Sequence, residues 1–184
     1  MKRLLIVKPL ALPLRLPLVV VLFVSASLLV QSRVALGQGS VPDPSVVMLS
    51  RQVDKITALR KELEATHVRI VSSPSWPKTG QTAVRAIDST LSGLTLIESQ
   101  LLALKDMFAL YGLITDQALL IRGTLILDQY KESLKDMTES CTSSVEQVLS
   151  LVEDQEASRL LLKAHGTYRS TNELLDRIQY PKKR

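Results

Sequence analysis

The side chains able to do chemistry are few in this chain, and their spacing limits what they can do. Histidine occurs twice, at His67 and His165. On the first and last helices of an antiparallel four-helix bundle these two become neighbours, placed to hold a metal ion or a haem. No HxxxH pair and no CxxCH haem-attachment run accompanies them. Each therefore reads as a hydrogen-bonding residue at the edge of a helix seam, and no cofactor is expected.

Acid–base chemistry asks for carboxylates converging on one point. The acid clusters, Glu62 with Glu64 and Glu153-Asp154 with Glu156, fall on helical segments and point to differing faces. Serines are plentiful, but no GxSxG elbow presents one to a base. Gly37 and Gly39 form no phosphate loop. Cys141 is the single cysteine, so no disulfide can form within the chain. It reads as a small buried thiol, the alternative being a disulfide between two exported copies. The expectation is a protein that is not an enzyme.

Charge places the chain before its fold does. The first 37 residues carry five cations (Lys2, Arg3, Lys8, Arg15, Arg33) and no acid, around an apolar run from Leu16 to Val30. A cationic leader with a short apolar core reads as a secretory signal peptide, and Ala35-Leu36-Gly37 supplies small residues for cleavage before Gln38. Retained instead, the segment would act as an N-terminal anchor with Arg33 snorkelling. Of 23 Lys and Arg, the leader holds five, leaving 18 to face 18 Asp and Glu. The mature chain is formally neutral, with no basic field to gather nucleic acid. Localisation is expected to be periplasmic or secreted, with membrane contact only through an uncleaved leader.

The remaining 147 of 184 residues suffice for one domain with a core. The expected organisation is signal peptide 1–37, tether 38–43, helical domain 44–180 and basic tail 181–184. Asp43-Pro44 starts the first helix, with apolar residues at Val46, Leu49, Val53, Ile56, Leu63 and Ile70; Arg60 and His67 occupy the two seam positions between them. The second helix repeats strictly in steps of three and four, at Ile87, Thr90, Leu94, Ile97, Leu101, Leu104, Phe108 and Tyr111. That is a coiled-coil-like heptad seam. Gly112 is expected to end it in a left-handed cap; the alternative is a helix continuing through Gly112. A third helix then starts at Thr115-Asp116, with Leu119, Leu120, Leu125, Ile126, Leu127, Tyr130, Leu134 and Met137 inward. The small polar run Thr138 to Ser144 reads as the next break, with Ser143 and Glu146 forming a capping box. The last helix carries Val148, Leu149, Val152, Ala157, Leu161, Ala164, Tyr168, Leu175 and Ile178, and Gly166 is a candidate bend.

The fold implied is all-α, an up-down antiparallel helical bundle of four helices, or three if the helix runs through Gly112. Ala86, Ser89 and Gly93 form a strip of small residues that permits close helix approach. Trp76, between Pro74 and Pro77, either covers an open end of the bundle or serves as a partner anchor, with Arg60 a further polar candidate for that contact. These features together suggest a protein-binding or assembly subunit whose partner is another protein or a second copy. A bundle-interior carrier of a small molecule, haem or metal is the alternative.

Overall fold

The computed structural model describes residues 43–74, 76 and 80–180. The leader, the tether up to Pro42, Pro77 and the tail 181–184 lie outside the described residues.

Four helices follow one another: α1 (Pro44–Val71), α2 (Gln81–Tyr111), α3 (Gln117–Leu149) and α4 (Gln155–Arg177). Three of their starts are written in single aspartates. The Asp43 carboxylate accepts the Ser45 amide at 2.8 Å, with Pro44 at a first-turn position where a missing N–H costs nothing. Asp116 accepts from the Leu119 amide and Asp154 from the Ala157 amide, each at 2.9 Å. Each cap contributes about 1 kcal/mol.

Side-chain pairs fix the directions. Thr57 and Arg60 meet Glu98, while His67 meets Asp88, so α1 and α2 run antiparallel. Tyr130 reaches Gln100, and Tyr111 pairs with Thr124, so α2 and α3 do too. Lys135–Asp176, Thr138–Asn172 and His165–Glu146 align α3 against α4. Ser45 donates to the Gln179 carbonyl at one end, and Arg69 pairs with Asp154 at the other, which closes α4 against α1. The result is the expected up-down antiparallel bundle, with α2 and α4 also touching across its diagonal.

The heptad seam of α2 is buried from Ile87 through Phe108, with Tyr111 half-buried at its end. It faces Leu49, Ile56, Leu59 and Leu63 of α1 and Leu161, Ala164, Tyr168 and Leu175 of α4 within one core. Each fully buried leucine or isoleucine contributes about 1.5–3 kcal/mol. One turn carries an aromatic seal: Tyr180 stacks on Phe108 with ring centroids 5.9 Å apart and leans on Tyr111 at 5.4 Å.

Three expectations are corrected. Gly112 does end α2, giving four helices, but in the right-handed region (φ −61°, ψ −20°) rather than in a left-handed cap. The run Thr138 to Ser144 is no break. α3 passes straight through it to Leu149, and Val148 and Leu149 belong to α3 rather than to the last helix. The Thr138, Thr142 and Ser144 hydroxyls bond back to the carbonyls of Lys135, Thr138 and Ser140, satisfying themselves inside the helix. Smallness there serves close packing: Thr138 is fully buried and pairs with Asn172 of α4. The true break is Ser150–Glu153, and Asp154 is the cap.

The third correction concerns the start of α3. Leu119, Leu125 and Ile126 are not inward; they are 54, 59 and 41% exposed. α4 is ten residues shorter than α3. Its last links to α3 are Asp176 to Lys135 and, just beyond the helix, Tyr180 to Asp128. Nothing of α4 lies beside residues 117–127, an overhang of about 15 Å.

Candidate functional site

Trp76 lies at the pole formed by the end of α1, the start of α2 and the α3–α4 connection. A turn brings it back, its amide donating to the Ser73 carbonyl at 3.0 Å. Its ring packs over Ile70 and Gly80, and the indole is partly buried against the core. A Cβ at Gly80 would lie 2.8 Å from Ile70 Cγ2 and 2.9 Å from Trp76 Cε3, so only glycine leaves the ring room to close the pole. At the same pole Val68 and Leu151 are 63 and 61% exposed, and Val71 is also exposed. Between the exposed apolar groups runs a charged rim: Arg69 reaches Asp154 at 2.8 Å and Glu156 at 3.2 Å. Burial by itself would raise the Asp154 carboxyl, but the Ala157 amide and the Arg69 guanidinium hold it below the ordinary aspartate value. Pro74 sits in the same turn.

Arg60 does not join this pole. It lies about three turns back along α1, bonding Glu98 of α2 at 2.5 Å and Glu64 on its own helix at 3.6 Å. Thr57 donates to the other Glu98 oxygen, so two donors clamp one carboxylate and hold its pKa down against the opposing effect of burial. This seam cation fixes the register of α1 on α2, the use polar seam residues have in coiled coils.

The two histidines are engaged separately. His67 Nε2 is 3.2 Å from Asp88 across α1 and α2, and His165 Nε2 is 2.7 Å from Glu146 across α3 and α4. Glu64 stands three residues before His67, the spacing of a carboxylate–histidine ligand pair, but its partner is Arg60. Among the described residues no three His, Cys, Asp or Glu side chains converge as a metal site would require.

Cys141 sits inside the bundle wall. It is half-buried and lines a cavity of about 50 Å³ together with Ala86, Ser89, Thr90 and Tyr168. Its Sγ lies 3.0 Å from where a Gly93 Cβ would be, and the Tyr168 hydroxyl lies 2.9 Å from that point. Tyr168 is fully buried and donates to the Thr90 carbonyl at 3.2 Å. Burial raises the thiol and the phenol alike, so both stay neutral. The expected small-residue strip thus does its work here: Ala86, Ser89 and Gly93 admit a tyrosine from the diagonal helix.

The opposite pole is of a different character. The α2–α3 hairpin projects past the aromatic seal, packed on itself through Tyr111 beside Gly123 and, among the described residues, uncovered on the side where α4 has ended. Leu113, Leu119, Ile121, Leu125 and Ile126 are 68, 54, 59, 59 and 41% exposed. Between Gly112 and Leu127 the only charged residues are Asp116, whose carboxylate caps α3, and Arg122, which makes no ion pair among the described residues.

Buried polar residues also join the helices, Gln52 foremost among them. Gln52 is 4% exposed and its amide donates to Thr171 at 2.8 Å and Ser170 at 3.1 Å, joining α1 to α4. Its signal was available, since Gln52 falls three residues after Leu49 and four before Ile56, on the apolar stripe. Among the described residues no helix is long and apolar enough to cross a membrane. Comparison with protein-family models, with curated proteins and with solved structures finds no match to this chain.

Proposed function

We propose that this chain is an exported, non-enzymatic helical bundle that works by binding another protein, as an interaction or assembly subunit of the cell envelope or extracellular space. The observation that carries the reading is the Trp76 pole. At this pole Val68, Val71 and Leu151 are exposed, Trp76 is partly buried, and Arg69, Asp154 and Glu156 form an ion-paired group. Apolar anchors inside a charged rim are the anatomy of a protein contact. The leader and the formally neutral mature chain support export and argue for a partner that is not nucleic acid. Support for the carrier alternative is thin, because the cavity beside Cys141 is about 50 Å³ whereas small-molecule sites occupy roughly 300–1,000 Å³.

Affinity capture from the native compartment, with the chain from Gln38 onward as bait, tests the proposal. A specific protein should be retained by the wild type and lost by Val68→Asp with Leu151→Asp. Retention of the same protein by that double variant, or no protein retained at all, counts against it. N-terminal sequencing of the exported chain reports whether Gln38 is its first residue.

A further inference from the structure

We infer that a second copy of this chain docks on the α2–α3 face, antiparallel and related by a two-fold axis near the level of the Tyr130–Gln100 bond. The inference goes beyond the contact proposed at the Trp76 pole and uses a different face of the bundle.

Three observations carry it. First, ion pairs cross every other seam between neighbouring helices. Arg60–Glu98 and His67–Asp88 link α1 to α2, and Lys135–Asp176 and His165–Glu146 link α3 to α4. Lys163–Glu62 and Arg69–Asp154 link α4 to α1. Among the described residues none crosses from α2 to α3, where neutral pairs do the joining, Tyr130 with Gln100 and Tyr111 with Thr124. One turn to either side of the Tyr130–Gln100 bond stand Leu96 and Ala103 on α2 and Ile126 and Ser133 on α3, all four exposed. They belong to two uncharged stripes of seven-residue spacing: Ser89, Leu96, Ala103 and Leu110 on α2, and Leu119, Ile126, Ser133 and Ser140 on α3. Charge is depleted at the centre of a contact between proteins.

Second, the face complements itself. Arg122, Gln129 and Asp136 follow one another at the same seven-residue spacing along the outer side of α3, and all three are exposed. Neither Arg122 nor Asp136 has an ion-pair partner among the described residues. Two α3 helices laid antiparallel with Gln129 on the axis set Arg122 of each copy opposite Asp136 of the other. The same centring puts Leu125 opposite Ser133, a large side chain against a small one. On α2 the axis passes Ala103, which the Tyr130–Gln100 bond holds within a turn of Gln129. Leu96 of each copy then meets Leu110 of the other. An interface built on a two-fold axis requires reciprocal pairs of this kind.

Third, the size is sufficient. The stripes run about 30 Å along the bundle and span two helix widths, roughly 600–800 Å² per copy, the scale of a standard stable interface. Leu96, Leu119, Leu125 and Ile126 are left exposed across it.

Sedimentation velocity of the chain from Gln38 onward, which contains all four helices, tests the inference. Wild type should run as a dimer at about 50 μM and dissociate on dilution. Ala103→Glu sets a carboxylate on the axis against its own copy and should weaken the dimer at least about tenfold, with the helical circular dichroism intact. Arg122→Asp and Asp136→Arg should each do the same, since each brings like charges together twice. Mixed in equal amounts, those two variants should form a heterodimer about as tight as wild type, because every altered charge then meets its opposite. A monomer at every concentration up to about 100 μM, a dimer unaffected by Ala103→Glu, or a mixture no tighter than either variant alone overturns the inference. Val68→Asp with Leu151→Asp should dimerise as wild type does, so failure of the Trp76 contact and failure of this one remain distinguishable.

Discussion

A Cβ atom on Gly93 would lie 2.9 Å from the Tyr168 hydroxyl oxygen, which itself is bonded to the Thr90 carbonyl one turn earlier on the same helix. The glycine of α2 and the tyrosine of α4 are thus two halves of one contact across the bundle diagonal. Gly93→Ala should destabilise the fold by about 1–3 kcal/mol through overpacking, despite alanine's better helix propensity. Tyr168→Phe should cost about 0.5–1.5 kcal/mol for the lost bond. Because removing the hydroxyl opens the space the methyl needs, the double variant should lose less than the sum. Urea denaturation of the four proteins measures that coupling.

Gly166 behaves oppositely. It lies on the exposed face of α4, and an added Cβ would meet nothing within 4 Å. Gly166→Ala should therefore stabilise by about 0.5–1 kcal/mol, from helix propensity alone. A lower melting temperature would show that a bend at Gly166 matters.

The continuity of α3 has a sharp test at Ser144. Were Ser143 an N-cap, Ser144 would be the first helical residue and would tolerate proline. In a helix running from Gln117 to Leu149, proline there removes an interior hydrogen bond and should cost about 3 kcal/mol or more. Residue type alone suggests a break at this place because Thr138, Thr142 and Ser144 are turn-like. The structure spends them on bonds within the helix and on close contact with α4.

Acid should weaken the fold in a defined window. Burial opposes the charge on Glu98, and the Thr57 and Arg60 donors overcome it; at Asp154 the Ala157 amide and Arg69 do the same. Both carboxyls are held below their ordinary values of 4.5 and 3.8. A depressed folded value means that the stabilisation is complete at neutral pH and is lost as the pH falls through the folded value. The urea midpoint should thus be flat around neutrality and decline as the pH falls below the ordinary carboxyl values of 4.5 and 3.8. Glu98→Gln and Asp154→Asn should each flatten that decline; asparagine retains the α4 cap, so helix loss does not confuse the result.

Cys141 should react slowly. Half-buried against Tyr168, with its thiol pushed up by burial, it offers little thiolate near neutral pH. Alkylation should accelerate on unfolding by more than tenfold. Non-reducing electrophoresis of the protein from its native source should show no cross-linked dimer. A dimer that reduction removes would instead assign Cys141 to a bond between copies.

What the sequence determined alone was local. Asp43-Pro44, the unbroken heptad steps from Ile87 to Tyr111 and the stop at Gly112 each act within a few residues, and the helices stand where those signals put them. The tertiary structure decided what each helix meets. The same leucine pattern describes a core at Leu127 and bare surface at Leu125, because α4 stops before it reaches the start of α3. Arg60 shares its stripe with apolar seam residues, yet only the arrival of Glu98 from α2 makes it a clamp. Periodicity records that a helix face is apolar, but whether a neighbour covers that face depends on the lengths and registers of other helices, and these are set only when the bundle closes.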